Sequence, residues 1–373
     1  MLSYMVANYL PLPQKTINNI FYIGVALPSL AWFFLSARAM LVFFRVFLIL
    51  LLPLVLLTFW NIRDVAELKL IIYFLALLVC CVVIEQRPAG VVKLYTAFAL
   101  ISLLFFAVVA IDWLRIYLQT REFVRYDNVA NVWLNPIYAA LMICSAMVFL
   151  WLFYFDEKLA ARSVYHHLLG FVLLALGVLA CTTIFQARTA LLGFGIFFLV
   201  YFVTRRLWML GILSVLVMAA GTWGLGLDRV LAIRGLSYRP QIWQDAWRRL
   251  VDECGLLQGC GYDGYLFLGQ FTQPHNSYLG ILYADGLVGG MLMLALFGWI
   301  CWHGIRSGSK WFLLSLIGAG GLLTTSGTIL SSPKPYWIYF WIPLLMTVVE
   351  LKRPGLLSYF SARENEKSNR LIN

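Results

Sequence analysis

Apolar runs about as long as a bilayer is thick, on the order of 20 residues, recur down this chain, and charged residues stand at their ends. In hydrocarbon every backbone N–H and C=O must find its partner within the protein, so such runs are either helices or strands of a closed barrel. Barrel strands alternate apolar and polar residues over ~10-residue segments, and these runs do not alternate. The sequence therefore predicts an all-α fold, a polytopic membrane helical bundle. Composition agrees, with 12% charged residues and 62% hydrophobic ones, against the ~25% charge of a soluble domain.

Spans are expected at 17–36, 40–60, 66–84, 92–113, 137–155, 167–185, 189–204, 207–226, 286–303, 310–330 and 336–351. No low-complexity linker or soluble domain interrupts them, so residues 1–373 read as a single integral membrane domain. The start MLSYMVANYLPLPQK has neither a basic n-region nor a cleavage site, and no removable signal peptide is expected. The net charge of +11 first suggests a nucleic-acid partner. The basic residues, however, sit mostly at span ends, where they anchor cytoplasmic loops, so no nucleic acid is expected and membrane lipids are.

Lys158, Arg162, Arg205, Arg206, Arg306, Lys310 and the basic tail mark the cytoplasmic side. Alternation then puts 114–136, 186–188 and 227–275 on the outer face, the periplasm of a Gram-negative cell. Eleven spans with an inner C-terminus leave the N-terminus outside. A twelfth span within the first 60 residues, where Pro28 and Pro53 break the helical pattern, would bring it back inside.

The segment 227–275 is the longest polar stretch in the chain, and loops of that length usually work. Within it Ile242, Trp243, Ala246, Trp247, Leu250 and Val251 share one helical face, with Arg248 and Arg249 opposite. Such an amphipathic helix is expected to rest on the membrane surface. Cys254 and Cys260 share the same loop, as a disulfide if it faces an oxidising compartment, or as free thiols; a metal pair lacks partner ligands. The other five cysteines lie in apolar runs as small buried hydrophobes. Asp228, Asp245, Asp252, Glu253 and Asp263 read mostly as solvated acids.

Arg188 stands where two spans meet, on the side where positive charge is disfavoured. It is either a functional group or an anchor to headgroups. Arg234 and Arg239 stand five residues apart in IRGLSYRPQIW; two planar forks suit phosphate oxygens, though both could be ordinary loop charges. His275, in QPHNSYLGIL, precedes two good N-cap residues, Asn276 and Ser277, at the mouth of an apolar helix. The N-terminal end of a helix attracts anions and keeps an imidazole neutral, as a general base requires; the plainer alternative is a satisfied capping-region histidine. Asp285 either pairs with one of the arginines or marks the start of the span. His166, His167 and His303 are at cytoplasmic span ends and are assigned no chemistry. No Walker sequence, no GxGxxG at a strand-to-helix turn, no HExxH and no Asp-x-Asp pair is present.

Together PHNSYLGILYADGLVGG, RGLSYRPQIWQDAW, GCGYDGY and QARTALLGF resemble, in order, the signatures of the O-antigen ligase and polymerase superfamily. The resemblance covers roughly residues 180 to 300; two departures are the count of eleven spans against twelve and Asp285 where glutamate is more common. It implies a metal-independent, inverting glycosyltransferase with a GT-C type fold and no cofactor. It further implies transfer of O-antigen glycan from undecaprenyl diphosphate to the lipid A–core at the periplasmic face of the inner membrane. By motif Arg188 and Arg239, with Arg234 as the looser match, would hold the diphosphate. His275 would act on the acceptor hydroxyl, with Asn276 beside it. The alternatives are a polysaccharide polymerase of the same chemistry and, in a different class, a lipid-linked glycan transporter. A transporter calls for charges deep at midplane, whereas here they gather at one face.

Overall fold

The computed structural model describes residues 1–10, 12–46, 52, 56, 68–86, 89–129, 132–133, 135–224, 238–261, 264–325 and 332–351. Among them six helices are long and apolar enough to cross a membrane. In chain order the helices are α1 (Leu2–Ala7), α2 (Gln14–Phe34), α3 (Ala37–Val46), α4 (Leu68–Glu85), α5 (Gly90–Thr120), α6 (Pro136–Arg162) and α7 (Val164–Ile184). They continue with α8 (Arg188–Arg205), α9 (Trp208–Gly224), α10 (Arg239–Arg249), α11 (Ser277–Ser307), α12 (Lys310–Leu322) and α13 (Trp337–Leu351). A two-residue hairpin, Asn128–Val129 with Val132–Trp133, precedes α6. The chain is thus a multi-pass membrane helical bundle with one longer loop segment. Most of the second half of the expected span 40–60 lies outside the described residues, as does Pro53.

Hydrocarbon is the solvent that makes these surfaces reasonable. Along α5, Leu100, Leu104, Val108, Ile111 and Leu118 are all more than half exposed. Their spacing of three, four or seven residues places them on one stripe, which lipid can cover and water cannot. Pro28 does not end its helix. It follows a π-helical turn, Tyr22–Ala26, and stands at the start of the next helical segment. The wider turn takes up the missing N–H and the ring, as broken hydrogen bonding is often repaired inside membrane helices.

Small residues set the closest helix pair. A Cβ on Gly193 in α8 would overlap the Ile317 carbonyl of α12, and one on Gly320 would lie 2.5 Å from Gly193 Cα. Side-chain-free contact of this kind is how membrane helices approach without a hydrophobic drive between them. Around it Tyr95, Trp311, Trp337 and Trp341 are fully buried.

At the end where α6 meets α7, Asp156 is buried and accepts from His167 Nε2 (2.9 Å), Tyr201 (2.5 Å) and Arg205 (2.9 Å). Lys310 pairs with Glu157 at 3.0 Å beside it. His167 therefore ties α6 to α7 and α8. Arg205 and Lys310 stand at this end, and the α7–α8 corner lies at the opposite end of α7.

Gly193→Val should therefore overpack the α8–α12 contact by about 1–3 kcal/mol, lowering the Tm in detergent by several degrees. Gly195→Val, whose added atoms begin in open space, should leave it unchanged. Thermal challenge followed by size-exclusion chromatography measures both.

Candidate functional site

The chain turns from α7 into α8 through Phe185, Gln186 and Ala187, with Gln186 in the left-handed region (φ 46). A non-glycine residue is held there only when its surroundings fix it. Here a strap formed by residues 121–127 lies across the corner. Tyr126 N donates to Ile184 O (3.0 Å), Arg125 Nε to Phe185 O (3.3 Å) and Gln186 Nε2 to Phe123 O (2.8 Å). The strap is fastened to α5 as well, since Trp113 Nε1 donates to Val124 O and the Tyr126 hydroxyl to Asp112.

Between strap and corner opens a cavity of about 310 Å³, lined by Arg125, Ile137, Gln186, Ala187, Arg188, Thr189 and Arg239. Arg188 is the first residue of α8 and Arg239 the first of α10, where Pro240 suits a helix's opening turn. Two guanidiniums thus sit at two helix N-termini, each end carrying roughly half a positive charge of its own. The Arg239 pKa lies below the ordinary guanidinium value, first through burial and then through the Arg188 charge beside it. The arrangement attracts anions, and the size and the forked donors suit a phosphate or diphosphate.

His275 does not line this cavity. It stands beside it, within electrostatic reach of Arg239, with the Phe271 ring edge-on at 5.6 Å. Its backbone is left-handed (φ 50). Burial first, and the Arg239 charge second, push the imidazole's pKa below its usual value, so it is neutral near pH 7. Asn276 caps α11: its Oδ1 accepts from Tyr278 N (3.0 Å) and Leu279 N (3.1 Å). That oxygen is committed to the helix, as expected of an N-cap residue. Arg234 lies outside the described residues, as do Asp228 and Asp263. Asp285 is buried, one residue before a break in α11 at Gly286.

Two expectations need correction, and one open alternative is decided. The amphipathic face of α10 divides: Ile242, Ala246 and Leu250 are buried with Cys260, Tyr265 and Tyr283 in a second small core, while Trp247 and Val251 remain exposed. Half the face packs on protein because the following loop folds back over it. Asp245 is not a solvated acid. It pairs with Arg249 (3.0 Å) and accepts from the Tyr265 hydroxyl (3.1 Å). Cys254 and Cys260 form a disulfide. Arg125 is the cavity residue the sequence reading missed. Its signal was present, for it too is an arginine in a predicted outer loop, where positive charge is disfavoured. Among the described residues no three His, Cys, Asp or Glu side chains stand together as a metal ligand set, and no ligand role is assigned to any of them.

Compared with known proteins, the chain is 30% identical over 226 residues to an O-antigen ligase of Pseudomonas aeruginosa, a match covering 57% of this chain and 54% of that protein. It therefore spans about half the length of the curated relative it matches. No family model matches the chain. No solved structure matches it.

Arg125→Gln, Arg188→Gln and Arg239→Gln should each weaken binding of inorganic pyrophosphate roughly 10- to 100-fold, the worth of about 1.5–3 kcal/mol for a charge-assisted hydrogen bond. Calorimetric titration at low ionic strength measures this, and three unchanged affinities would remove the cavity as an anion site. The residues described here, in a multi-pass membrane bundle, make up a basic pocket in a chain with distant similarity to an O-antigen ligase.

Proposed function

We propose that this protein is a membrane glycosyltransferase taking glycan from a lipid diphosphate. More finely, it transfers O-antigen from undecaprenyl diphosphate to the lipid A–core at the periplasmic face of the inner membrane. The reading takes residues 1–373 as one integral domain of eleven or twelve spans, of GT-C type, and residues 227–275 as its periplasmic segment. The observation that carries it is the cavity shared by Arg125, Arg188 and Arg239, with the neutral His275 in reach of Arg239. The similarity to an O-antigen ligase supports it. So does the disulfide, since such bonds persist in oxidising compartments.

The chemistry follows from charge. An acceptor hydroxyl oxygen attacks the anomeric carbon in line, the bond from that carbon to the phosphate oxygen breaks, and configuration inverts. The electron pair leaves with the diphosphate, whose added charge falls on the guanidiniums. Preorganised donors aimed at developing charge can each be worth about 3 kcal/mol. His275 accepts the hydroxyl proton, a contribution of ~10²–10⁴ in rate. No metal or cofactor is required in this scheme, because the arginines carry the charge and the diphosphate bond supplies the driving force.

Purified protein given undecaprenyl-diphosphate glycan and core–lipid A should form the joined product. His275→Ala should lower the rate by ~10²–10⁴. Product with a second lipid-linked glycan as acceptor, and none with core–lipid A, would assign a polymerase instead; no transfer to either acceptor would end the reading. The pH profile adds a second check. A base must be neutral, and His275 has a depressed pKa, so activity should persist below the ordinary imidazole range and fall only as pH drops through that depressed value. Arg239→Gln removes a charge that disfavours the imidazolium, so it should move the acid limb to higher pH. A limb that stays in place would separate His275 from the rate.

A further inference from the structure

Helix α10 and the first part of α11 run side by side in the same direction. At one end Tyr238 packs on Phe271, Phe271 on His275, and His275 feels Arg239. At the other, the π-helical turn Leu250–Cys254 that follows α10 lies beside the break at Gly286. Both N-termini therefore point the same way, and their positive dipole ends add to the charges of Arg188 and Arg239. Electrostatics alone would drive this pair apart, so something must hold it.

The hold is visible at the far end. Gly286 has φ 62 and ψ −164, a conformation open essentially to glycine alone. In an unbroken helix the Leu287 N–H would bond to Tyr283 O; here it donates instead to Leu256 O (2.9 Å). The freed carbonyls of Tyr283 and Ala284 accept from Cys260 N (2.6 Å) and Gly261 N (2.9 Å). The loop 254–261 is thus plugged into the helix and supplies the backbone partners that the break removes. It fits because both surfaces are bare. A Cβ on Gly259 would lie 2.5 Å from Gly286 N, and one on Gly286 would run into the Leu257 carbonyl. The Cys254–Cys260 disulfide closes this loop and ties it to the end of the α10 segment.

We propose that the disulfide-closed loop 254–261 is a positioning element: seated in the break at Gly286, it locks the helix carrying Arg239 against the helix mouth carrying His275, and so sets anion affinity at the arginine cavity. Its functional half rests on the reading of that cavity as a diphosphate site; its structural half does not. The residues concerned touch no substrate and act through Arg239.

The test uses the full chain in detergent or nanodiscs, with inorganic pyrophosphate as the probe. The paired substitution Cys254→Ser with Cys260→Ser should weaken binding about 10-fold. A double-mutant cycle then separates positioning from plain loss of stability. Arg239→Gln should cost ~10-fold with the disulfide intact and under about 2-fold without it. Hydrogen exchange should rise across 242–250 and 277–285 and stay unchanged in α6, α8 and α12. Because the serine pair could disturb folding, a second arm treats the folded wild type with dithiothreitol. There the S–S bond takes two electrons and two protons to become two thiols as the reagent closes to its cyclic disulfide. Affinity should fall and return on reoxidation. Full affinity after both treatments overturns the proposal, as does a loss that leaves the Arg239 effect undiminished, or exchange spread evenly through the bundle. A wild type that binds no pyrophosphate overturns the diphosphate reading; the exchange pattern at 242–250 and 277–285 then decides for or against the clamp.

Discussion

The guanidinium of Arg188 stands close enough to that of Arg239 to disfavour the Arg239 charge, and much of the architecture at that end of the bundle keeps the two there. Arg188 is fixed by the left-handed corner at Gln186 and by the strap that lies over it. Arg239 is fixed by a helix whose inner face is buried against Tyr265, Cys260 and Tyr283. A site that must receive a multiply charged group gains from having its donors in place beforehand, because no reorganisation is then needed when charge develops. The repulsion that Arg239 meets from Arg188 is the counterpart of the pair's attraction for an anion.

The two ends of the bundle use charge in opposite ways. Where α6, α7 and α8 meet, Asp156 is surrounded by His167, Tyr201 and Arg205, and its charge is matched within the protein. Removing one partner of such a buried set leaves the others uncompensated, which makes it a fastening. At the α7–α8 corner, positive groups face a cavity of about 310 Å³. Between the two ends lies a body of helices held by small-residue contacts such as Gly193 with Gly320 and by buried aromatic rings, with apolar stripes left for lipid.

The helices were legible because the bilayer imposes a length and a polarity that no other context requires. The expected spans 92–113, 137–155 and 189–204 fall within Gly90–Thr120, Pro136–Arg162 and Arg188–Arg205, and 167–185 overruns Val164–Ile184 by one residue. Pro28 misled because a π-helical turn, invisible in hydropathy, absorbs it. Arg188, Arg239 and His275 could be singled out because charge on the side expected to disfavour it, or a histidine at a helix mouth, is chemically conspicuous in so apolar a chain. Arg125 carried the same signal and went unread among neighbouring charges. Asn276 was read correctly as a cap, and its carbonyl oxygen is spent on that task.

The order of residues alone settled that this chain is a bundle of membrane helices with its polar chemistry confined to helix ends, since hydrophobic length and the need to satisfy backbone groups in lipid are local properties. It left open whether Cys254 and Cys260 bond, where the face of α10 turns, and which arginines share a space. Those depend on contacts between segments far apart in the chain: residues 121–127 laid over the α7–α8 corner, and a loop seated in the helix break at Gly286. Only the folded arrangement could decide them, because the free energy of each contact exists only once its distant partner is in place.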